Sequence, residues 1–360
     1  NNAFEGCTSL KSVDFSRSRI NELPWQLFCS CGSFDEVILP PNITNFCVLV
    51  FEECSINRII FTSTGENILD LTNSFEDFDV ELQEAIFSPN CKVILDSTFS
   101  NCVNLSHVVL PQTPFELSGT FKSCSNLTKV ENLEYCTKIG DFTFYECKVL
   151  TDVEFNDKLT DIGDSSFFNC RELTTIDLKN VKNVGSSSFR KCLKIKSVTM
   201  KQVETLGQFA FAEIQSLSTI ELPSTLQSIE SYCFTATALE TITGDVSGIT
   251  ELETAFMGCK DLISIPIFNS IKIIGASAFK ECNKLKRFEC GDQLESVWSN
   301  AFEGCRGLEE FNTTSKGYEI SGEGFLNCLS LKSFNFDNVI ALSNNAFEGC
   351  TSLKSVDFSR

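Results

Sequence analysis

The chain has 360 residues, of which 42% are apolar, and a formal net charge of −19 at pH 7. This acidity disfavours binding to the phosphate backbone of nucleic acids and adsorption to anionic membranes, and it favours solubility or basic partners. The longest apolar runs are far too short to cross a bilayer, so we expect no membrane insertion in this segment.

One aromatic anchor recurs along the whole chain. Its surroundings are clearest at residues 346–358, which read A-F-x-x-C-x-x-L-x-x-V-x-F. A fixed period of 22 to 24 residues, giving about 15 repeats, predicts a solenoid. Each coil then contacts only its neighbours, and we predict one continuous solenoid over residues 1–360. The anchors are Phe4, Phe28, Phe51, Phe75, Phe99, Phe121, Phe144, Phe167, Phe189, Phe211, Phe234, Phe256, Phe279, Phe302, Phe325 and Phe347.

Each repeat contains a short strand signal followed by a return segment. Residues 10–15 (L-x-x-V-x-F) alternate apolar and other residues, as do residues 173–178 and 217–222, and stacked strands of this kind form a parallel sheet. The return often ends in an Ile-Gly pair such as Ile162-Gly163, where glycine suits a positive φ or a close approach between coils. Segments such as 276–282 are compatible with one or two helical turns. The sequence therefore predicts an α/β repeat solenoid with a parallel sheet on its concave face and short turns or helical pieces on the other.

Two regions depart from this pattern. Residues 62–98 keep the anchor Phe75, but Phe78 replaces the usual cysteine and the strand signal is blurred. Residues 40–50 and 111–118 contain prolines, which predict loops that bulge from the coil. The alternatives are tolerated drift and a lateral contact site.

Most of the nineteen cysteines occupy one position in the repeat, three residues after an anchor. Phe78, Ile214 and Thr237 take this position elsewhere, so the slot is interpreted as buried and apolar. Parallel Cβ atoms on coils about 5 Å apart are too distant for a disulfide bond, which favours a ladder of reduced thiols. The ladder comprises Cys7, Cys31, Cys54, Cys102, Cys124, Cys147, Cys170, Cys192, Cys259, Cys282, Cys305, Cys328 and Cys350.

The remaining cysteines are scattered over other repeat positions: Cys29, Cys47, Cys91, Cys136, Cys233 and Cys290. Cys91 and Cys136 share a position but lie two coils apart, roughly 10 Å, which is too far for a disulfide bond. A zinc site is the alternative for one cluster, formed by Cys29, Cys31, Cys47 and Cys54. Two of those thiols already belong to the ladder, so we predict no metal and no cofactor.

The outward positions of the predicted sheet contain an acidic stripe. Its members are Glu131, Glu154, Asp177, Glu221 and Glu289. The first three fall on consecutive coils, where carboxylates about 5 Å apart repel unless a cation or a basic partner neutralises them. The stripe is therefore a candidate binding site. The alternative is an ordinary solvated face, and no dedicated calcium-binding loop is present.

Catalytic motifs are not found in the sequence. The single histidine, His107, lies on a strand signal and is interpreted as an outward-facing residue without a ladder of partners. No nucleophile elbow, phosphate-binding loop or metal-spaced His/Asp set is present. We therefore predict that the protein is not an enzyme and has no catalytic residue.

Two stretches of the chain are the same. Residues 1–17 and 344–360 are identical at all 17 positions, whereas other repeats share only their skeleton residues. Packing constraints do not explain identity at exposed positions such as Glu5 and Lys11. We expect a 343-residue super-repeat of 15 coils that recurs in a longer tandem array.

The pattern L-x-x-[I/V]-x-[L/F]…[I/V]-G-x-x-[A/S]-F-x-x-C-x-x-L resembles the BspA-like leucine-rich repeats, most clearly in residues 177–217 and 271–356. The chain lacks the asparagine ladder of other leucine-rich repeats. The resemblance implies a surface protein of host-associated bacteria or protists with roles in adhesion and matrix binding, and it supplies no catalytic residue. If the protein is secreted, four sequons become glycosylation candidates: Asn42, Asn104, Asn126 and Asn312.

These observations lead to one functional expectation and one alternative. The first is a non-enzymatic structural and adhesive protein, extracellular or on the cell surface, forming an extended solenoid filament with multivalent binding. Its partners would be neighbouring super-repeats, lateral contacts between chains, and host or matrix proteins or basic ligands. The alternative is a leucine-rich-repeat ectodomain of ordinary length that binds a ligand through the acidic concave face.

Overall fold

The computed structural model describes residues 2–75 and 81–356. The chain divides into two compact units, Asn1–Leu173 and Thr174–Arg360. In each unit every strand pairing is parallel, and successive coils of the chain contribute neighbouring strands. This arrangement confirms the predicted solenoid fold.

The first unit contains two parallel sheets. Its strands are β1 (Ser12–Asp14), β2 (Gly32–Leu39), β3 (Cys54–Phe61), β4 (Ile68–Asp70), β5 (Glu84–Phe87), β6 (Lys92–Asp96), β7 (His107–Val109), β8 (Phe115–Ser118), β9 (Lys129–Glu131), β10 (Cys136–Ile139) and β11 (Asp161–Ile162). Strands β1, β2, β3, β5, β7 and β9 form one sheet in that order. Strands β4, β6, β8, β10 and β11 pair in that order to form the second.

The second unit repeats this plan with shorter strands. They are β12 (Thr175–Asp177), β13 (Asn183–Val184), β14 (Ser197–Thr199), β15 (Thr205–Leu206), β16 (Thr219–Leu222), β17 (Ser228–Ile229), β18 (Thr241–Gly244), β19 (Glu251–Leu252), β20 (Ile273–Ile274), β21 (Arg287–Cys290), β22 (Ser296–Val297), β23 (Glu310–Thr313), β24 (Tyr318–Ile320) and β25 (Val339–Leu342). On one side β12 pairs with β14, β16 with β18 and β21 with β23. On the other side β13, β15 and β17 pair in order, as do β19, β20, β22, β24 and β25.

Strand side chains alternate between the core and the outside. In β16, Ile220 and Leu222 are buried while Thr219 and Glu221 are exposed. The alternation follows from the pleat of an extended chain, and it places the leucine and β-branched positions of each repeat inside the coil. The core therefore runs between the two sheets of each unit.

The anchor phenylalanines form a column of stacked rings in the core. In the second unit, from Phe189 to Phe347, successive ring centroids lie 5.1 to 5.7 Å apart and the ring planes differ by 2° to 14°. Offset stacking of this kind contributes about 0.5–1.5 kcal/mol per pair beyond the burial of apolar area. The column explains why the anchor is aromatic in every repeat.

The segments around each anchor are turns and not helices. No α-helix occurs within residues 2–75 and 81–356, which contain two short 3-10 turns, Val48–Phe51 and Leu133–Tyr135. Left-handed residues flank the anchors, such as Ser277 (φ 56°) and Glu281 (φ 61°) on either side of Phe279. A left-handed residue ends a right-handed helix, so the helix-compatible segment 276–282 forms turns only.

One predicted loop is partly a strand, and one predicted glycine position is explained by close packing of neighbouring coils. The proline-containing segment 111–118 does not form only a loop, because Phe115–Ser118 is strand β8 and pairs with β10. Gly163 does not have a positive φ, but a Cβ atom there would lie 2.4 Å from the carbonyl carbon of Gly140, so close approach of the coils explains the glycine. Phe78 lies outside the described residues.

Candidate functional site

The predicted acidic stripe is distributed over both units. Glu131 ends β9 and Glu154 lies outside a strand, both in the first unit, whereas Asp177, Glu221 and Glu289 lie on β12, β16 and β21 of the second. Glu154, Asp177 and Glu221 are exposed, and Glu131 and Glu289 are half-buried. A binding role for these residues stays a prediction.

In the second unit the acidic residues are separated from one another by neutral residues. Each lies in register with an uncharged side chain on the paired strand: Asp177 with Thr199, Glu221 with Thr243, and Glu289 with Asn312. These pairings place no two of the three carboxylates directly opposite each other. Repulsion among these three carboxylates is therefore weak, whereas the repulsion expected among Glu131, Glu154 and Asp177 stays a prediction.

A groove of about 610 Å3 lies over β14 and β16 and includes Glu221 in its lining. Threonine side chains line the same groove on both sides of the glutamate, and Lys196 and Lys201 add positive charge. The groove is therefore polar and of mixed charge. Its open, hydroxyl-rich surface suits weak hydrogen bonding to a polymer or protein surface better than capture of a buried small molecule.

Glu131 is paired with basic groups of its own sheet. Its carboxylate contacts the Lys129 ammonium on the same strand, and its Oε1 lies 3.2 Å from Nε2 of His107 on β7. Lys129, and after it His107, hold the pKa of Glu131 below its ordinary value. An external basic ligand would have to compete with these two partners.

His107 has partners on both sides, so the prediction that it lacks a ladder of partners was wrong. Its Nδ1 lies 2.8 Å from Glu84 Oε1 on β5, and its Nε2 faces Glu131 on β9. The ring belongs to a row of charged or titratable residues in register on five neighbouring strands: Glu36, Arg58, Glu84, His107 and Lys129. Sequence reasoning read only the outward position two residues further along each strand and missed this row.

The ladder thiols make a specific contact that the sequence did not predict. They donate to the carbonyl oxygen of the anchor phenylalanine one coil earlier, with Sγ–O distances of 2.8 to 3.4 Å. The donors are Cys31, Cys54, Cys102, Cys124, Cys147, Cys170, Cys259, Cys282, Cys305, Cys328 and Cys350. The cysteine therefore fills an apolar slot and also links neighbouring coils.

None of the nineteen cysteines, all of which lie within residues 2–75 and 81–356, forms a disulfide bond, and fifteen of them are buried. Burial raises the pKa of Cys91 and Cys290 to about 11 and that of Cys136 to about 12. The thiolate is the form that attacks substrates and binds metals, so these groups are poorly suited to either role. Cys47 is exposed and Cys29 is half-buried, whereas Cys31 and Cys54, the other two members of the candidate zinc cluster, belong to the ladder.

The four sequon asparagines, Asn42, Asn104, Asn126 and Asn312, are all exposed. The first three lie in turns, and Asn312 lies on β23. Exposure meets the steric requirement for attachment of a glycan. Modification of these residues stays a prediction.

Within residues 2–75 and 81–356, no three His, Cys, Asp or Glu side chains are grouped so that they could hold a metal ion. In the same residues, no helix is long and apolar enough to span a membrane.

Comparisons with known proteins agree with this fold. The family model for the BspA type leucine rich repeat region (6 copies) matches residues 1–118, 117–240, 182–291 and 250–360. A leucine-rich repeat protein from Bacteroides ovatus, solved by crystallography, is 25% identical over 73% of this chain and 82% of its own, with a TM-score of 0.52. A leucine-rich repeat protein from Eubacterium ventriosum is 17% identical over 97% of this chain and 91% of its own, with a TM-score of 0.45. Among curated proteins, no sequence matches.

Proposed function

Because this chain belongs to the BspA-type leucine-rich repeat family, we propose that it is a non-enzymatic structural and adhesive protein of the cell surface or the extracellular space. The family resemblance implies adhesion and matrix binding. The exposed sequons are compatible with secretion. The raised pKa values of the buried thiols and the partners of His107 favour structural roles for these groups over catalytic ones.

The second part of the proposal is the 343-residue super-repeat. The observation that supports it is the stacking of the anchor phenylalanine in both copies of the duplicated stretch. Phe4 and Phe347 are the same residue of that stretch. Phe4 stacks on Phe28 of the following coil, and Phe347 stacks on Phe325 of the preceding coil, with centroids 5.1 Å apart in both pairs. A coil with this sequence can therefore continue the ring column on either side, as a tandem array requires.

An array would convert weak contacts into firm attachment. Each copy of the super-repeat would present the same outer face, so a ligand surface could engage several copies at once. The net charge of −19 favours basic ligands or matrix proteins over nucleic acid. The acidic residues Glu131, Glu154, Asp177, Glu221 and Glu289 are the proposed contacts for such ligands.

The test compares a protein of one super-repeat with a protein of two joined super-repeats. Both are passed over a surface coated with extracellular-matrix proteins and, as a charge control, over a surface coated with polylysine. Avidity predicts that the double protein dissociates at least about tenfold more slowly from the matrix surface. Equal dissociation rates of the two proteins from both surfaces would contradict an adhesive array.

A receptor-like ectodomain of ordinary length remains the second candidate, and the groove over β14 and β16 favours it. This groove holds Glu221 between threonines on neighbouring strands. A single ligand that binds there would lose affinity on Glu221→Gln, whereas an array that adheres through many coils would change little. Equal binding of the variant and the unmodified protein would eliminate this candidate.

A further inference from the structure

The outward face of the six-stranded sheet in the first unit carries two rows of side chains. The first is the charged row, Glu36, Arg58, Glu84 and His107; the second, two residues further along each strand, is the aliphatic row, Ile38, Ile60, Ile86 and Val109. Members of both rows are half-buried, whereas the residues between them, such as Val37 and Ile59, are fully buried in the core. Both rows therefore face outward on β2, β3, β5 and β7.

The charged row alternates in sign. Arg58 Nη1 lies 3.6 Å from Glu36 Oε2, and Arg58 Nε lies 3.0 Å from Glu84 Oε2. The contact between Arg58 Nε and Glu84 is an ion pair without a hydrogen bond, because the N–H of this buried nitrogen does not point at the carboxylate oxygen. His107 follows with Nδ1 at 2.8 Å from the other oxygen of Glu84. The order along the row is acid, base, acid, imidazole.

We propose that this face pairs with the same face of a second copy of the chain. A two-fold axis parallel to the strands and midway between β3 and β5 reverses the order of the strands but keeps the two rows aligned. The axis sets Ile60 against Ile86 of the second copy and Ile38 against Val109, so apolar side chains meet. The same rotation sets Arg58 against Glu84 of the second copy and Glu36 against His107.

The alternation of charge selects this register over its neighbours. Moving the axis onto β5 brings the two copies of Glu84 together. Moving it onto β3 brings the two copies of Arg58 together and sets Glu36 against Glu84. Like charges in contact oppose association, so over β2, β3, β5 and β7 the register centred between β3 and β5 is the self-complementary one, although the same rotation sets Asp14 on β1 against Glu131 on β9.

The small size of the face limits the strength of the pairing. Four strands about 4.8 Å apart and two rows about 7 Å apart cover a few hundred Å2 on each copy, below the roughly 800 Å2 of a standard interface. We expect a dissociation constant on the order of 0.1–1 mM. The biological role of so weak a pairing rests on the proposed function. An array presents this face once per super-repeat, so many weak pairings between two arrays act together.

The experiment uses the 360-residue chain and two charge reversals. The Arg58→Glu protein sets its new carboxylate against Glu84 of its copy, and the Glu84→Arg protein sets its new guanidinium against Arg58 of its copy, so neither should pair with itself. In a mixed pair, position 58 of each chain faces a residue of opposite charge at position 84 of the other chain, so both contacts are attractive. Sedimentation velocity from about 10 μM to about 1 mM should show association of the unmodified chain, at least tenfold weaker association of each variant alone, and recovery in the equimolar mixture.

The matched control is Arg287→Glu in the second unit, which removes a similar exposed ion pair, between Arg287 Nε and Glu310 Oε2 at 3.1 Å, and should leave association unchanged. Recovery in the mixture also shows that both reversed chains are folded. An unmodified chain that stays monomeric to about 1 mM would overturn the proposal, as would a mixture no more associated than its components. Neither result contradicts the proposed tandem array, because its super-repeats are joined by peptide bonds and not by pairing between chains.

Discussion

The thiol of Cys305 donates a hydrogen bond to the carbonyl oxygen of Phe279, one coil earlier, with an Sγ–O distance of 3.0 Å. The same carbonyl accepts the backbone N–H of Cys282 at 3.1 Å. A buried carbonyl has two lone pairs, and the thiol of the next coil satisfies the second. The cysteine ladder is thus a set of contacts between coils as well as a filler of the core.

We expect Cys305→Ala to lower the free energy of unfolding by about 2 kcal/mol, because the change removes a buried sulfur and its hydrogen bond together. Cys305→Ser should be no less stable than Cys305→Ala, because the hydroxyl keeps a donor for Phe279. Thr237 occupies the same slot in another coil, where its hydroxyl donates to the carbonyl oxygen of its own coil's anchor, Phe234, at 2.9 Å, so a hydroxyl in the slot can find an acceptor. Urea unfolding followed by circular dichroism measures both variants.

Comparison of the alanine and serine variants shows whether the slot requires a hydrogen-bond donor or only an apolar side chain. A purely apolar slot would tolerate alanine better than serine, since serine then buries an uncompensated hydroxyl. An alanine variant clearly more stable than the serine variant would therefore contradict the donor role. Cys47→Ala, at an exposed cysteine, is the control and should change stability by less than about 0.5 kcal/mol.

Stability should fall steeply at alkaline pH. Burial raises the pKa of Cys259 to about 11 and that of Cys305 to about 12, from an ordinary value of 9.0. Between these values and 9.0 the folded chain holds protons that the unfolded chain has lost, so the stabilising contribution is complete below about pH 9 and disappears as pH rises through 11 to 12. Within that pH range, each such thiol lowers the free energy of unfolding by about 1.4 kcal/mol for each unit that the pH rises.

Urea midpoints measured under reducing conditions from pH 7 to about pH 10.5 test this dependence. The Cys259→Ala variant lacks one titrating thiol, and above pH 9 its slope should be shallower than that of the unmodified chain by about 1.4 kcal/mol per pH unit. Equal slopes would show that the thiol does not retain its proton in the folded state.

Gly163→Ala tests the close approach of neighbouring coils. A Cβ at this position would lie 2.4 Å from the carbonyl carbon of Gly140 and 2.5 Å from the backbone nitrogen of Asp141. Both are backbone atoms of the neighbouring coil and cannot rotate away as a flexible side chain would, so we expect the free energy of unfolding to fall by about 2–3 kcal/mol in thermal or urea unfolding.

Gly258→Ala is the matched control for that substitution. Gly258 has a φ of 74°, and the nearest atom to an added Cβ, the backbone nitrogen of Ala236, is 3.6 Å away. Only the left-handed backbone penalty of about 1 kcal/mol then applies. A Gly163→Ala protein as stable as the Gly258→Ala protein would show that the coils can move apart.

The thiols should differ sharply in their reaction with a colorimetric thiol reagent. Cys7 and Cys47 are exposed, Cys29 and Cys350 are half-buried, and the other fifteen are buried. The folded protein should therefore react rapidly at no more than four thiols, and the denatured protein at nineteen. Fewer than nineteen reactive thiols after denaturation without reductant would reveal disulfide bonds and contradict the ladder of reduced thiols.

The sequence predicted the parts of the fold that depend on period and polarity. Anchor phenylalanines, inward strand positions such as Ile220, and the buried place of Cys305 all follow from spacing alone. The carbonyl to which the thiol donates does not follow from spacing, because side-chain volume and hydropathy place the sulfur in the core without orienting its hydrogen. The turns around Phe279 were also missed as turns, since serine and glutamate carry no clear signal for a positive φ.

The charged row was missed for a geometric reason. Glu36 and Arg58 are 22 residues apart, but Arg58 and Glu84 are 26 apart, although each pair is in register on neighbouring strands. The intervening coil is longer, so counting a fixed period does not bring Glu84 beside Arg58. Contacts between long side chains therefore required the strand register that the structure supplies.

Electron microscopy of the native, untruncated protein tests the central claim most directly. Fifteen coils at about 4.8 Å each predict an axial repeat of roughly 70 Å along extended filaments, with one super-repeat per period. Filaments with that repeat would support an array in which the solenoid itself is the functional element. Compact single particles without an axial repeat would contradict it, and the ligand-binding ectodomain would then be the better account.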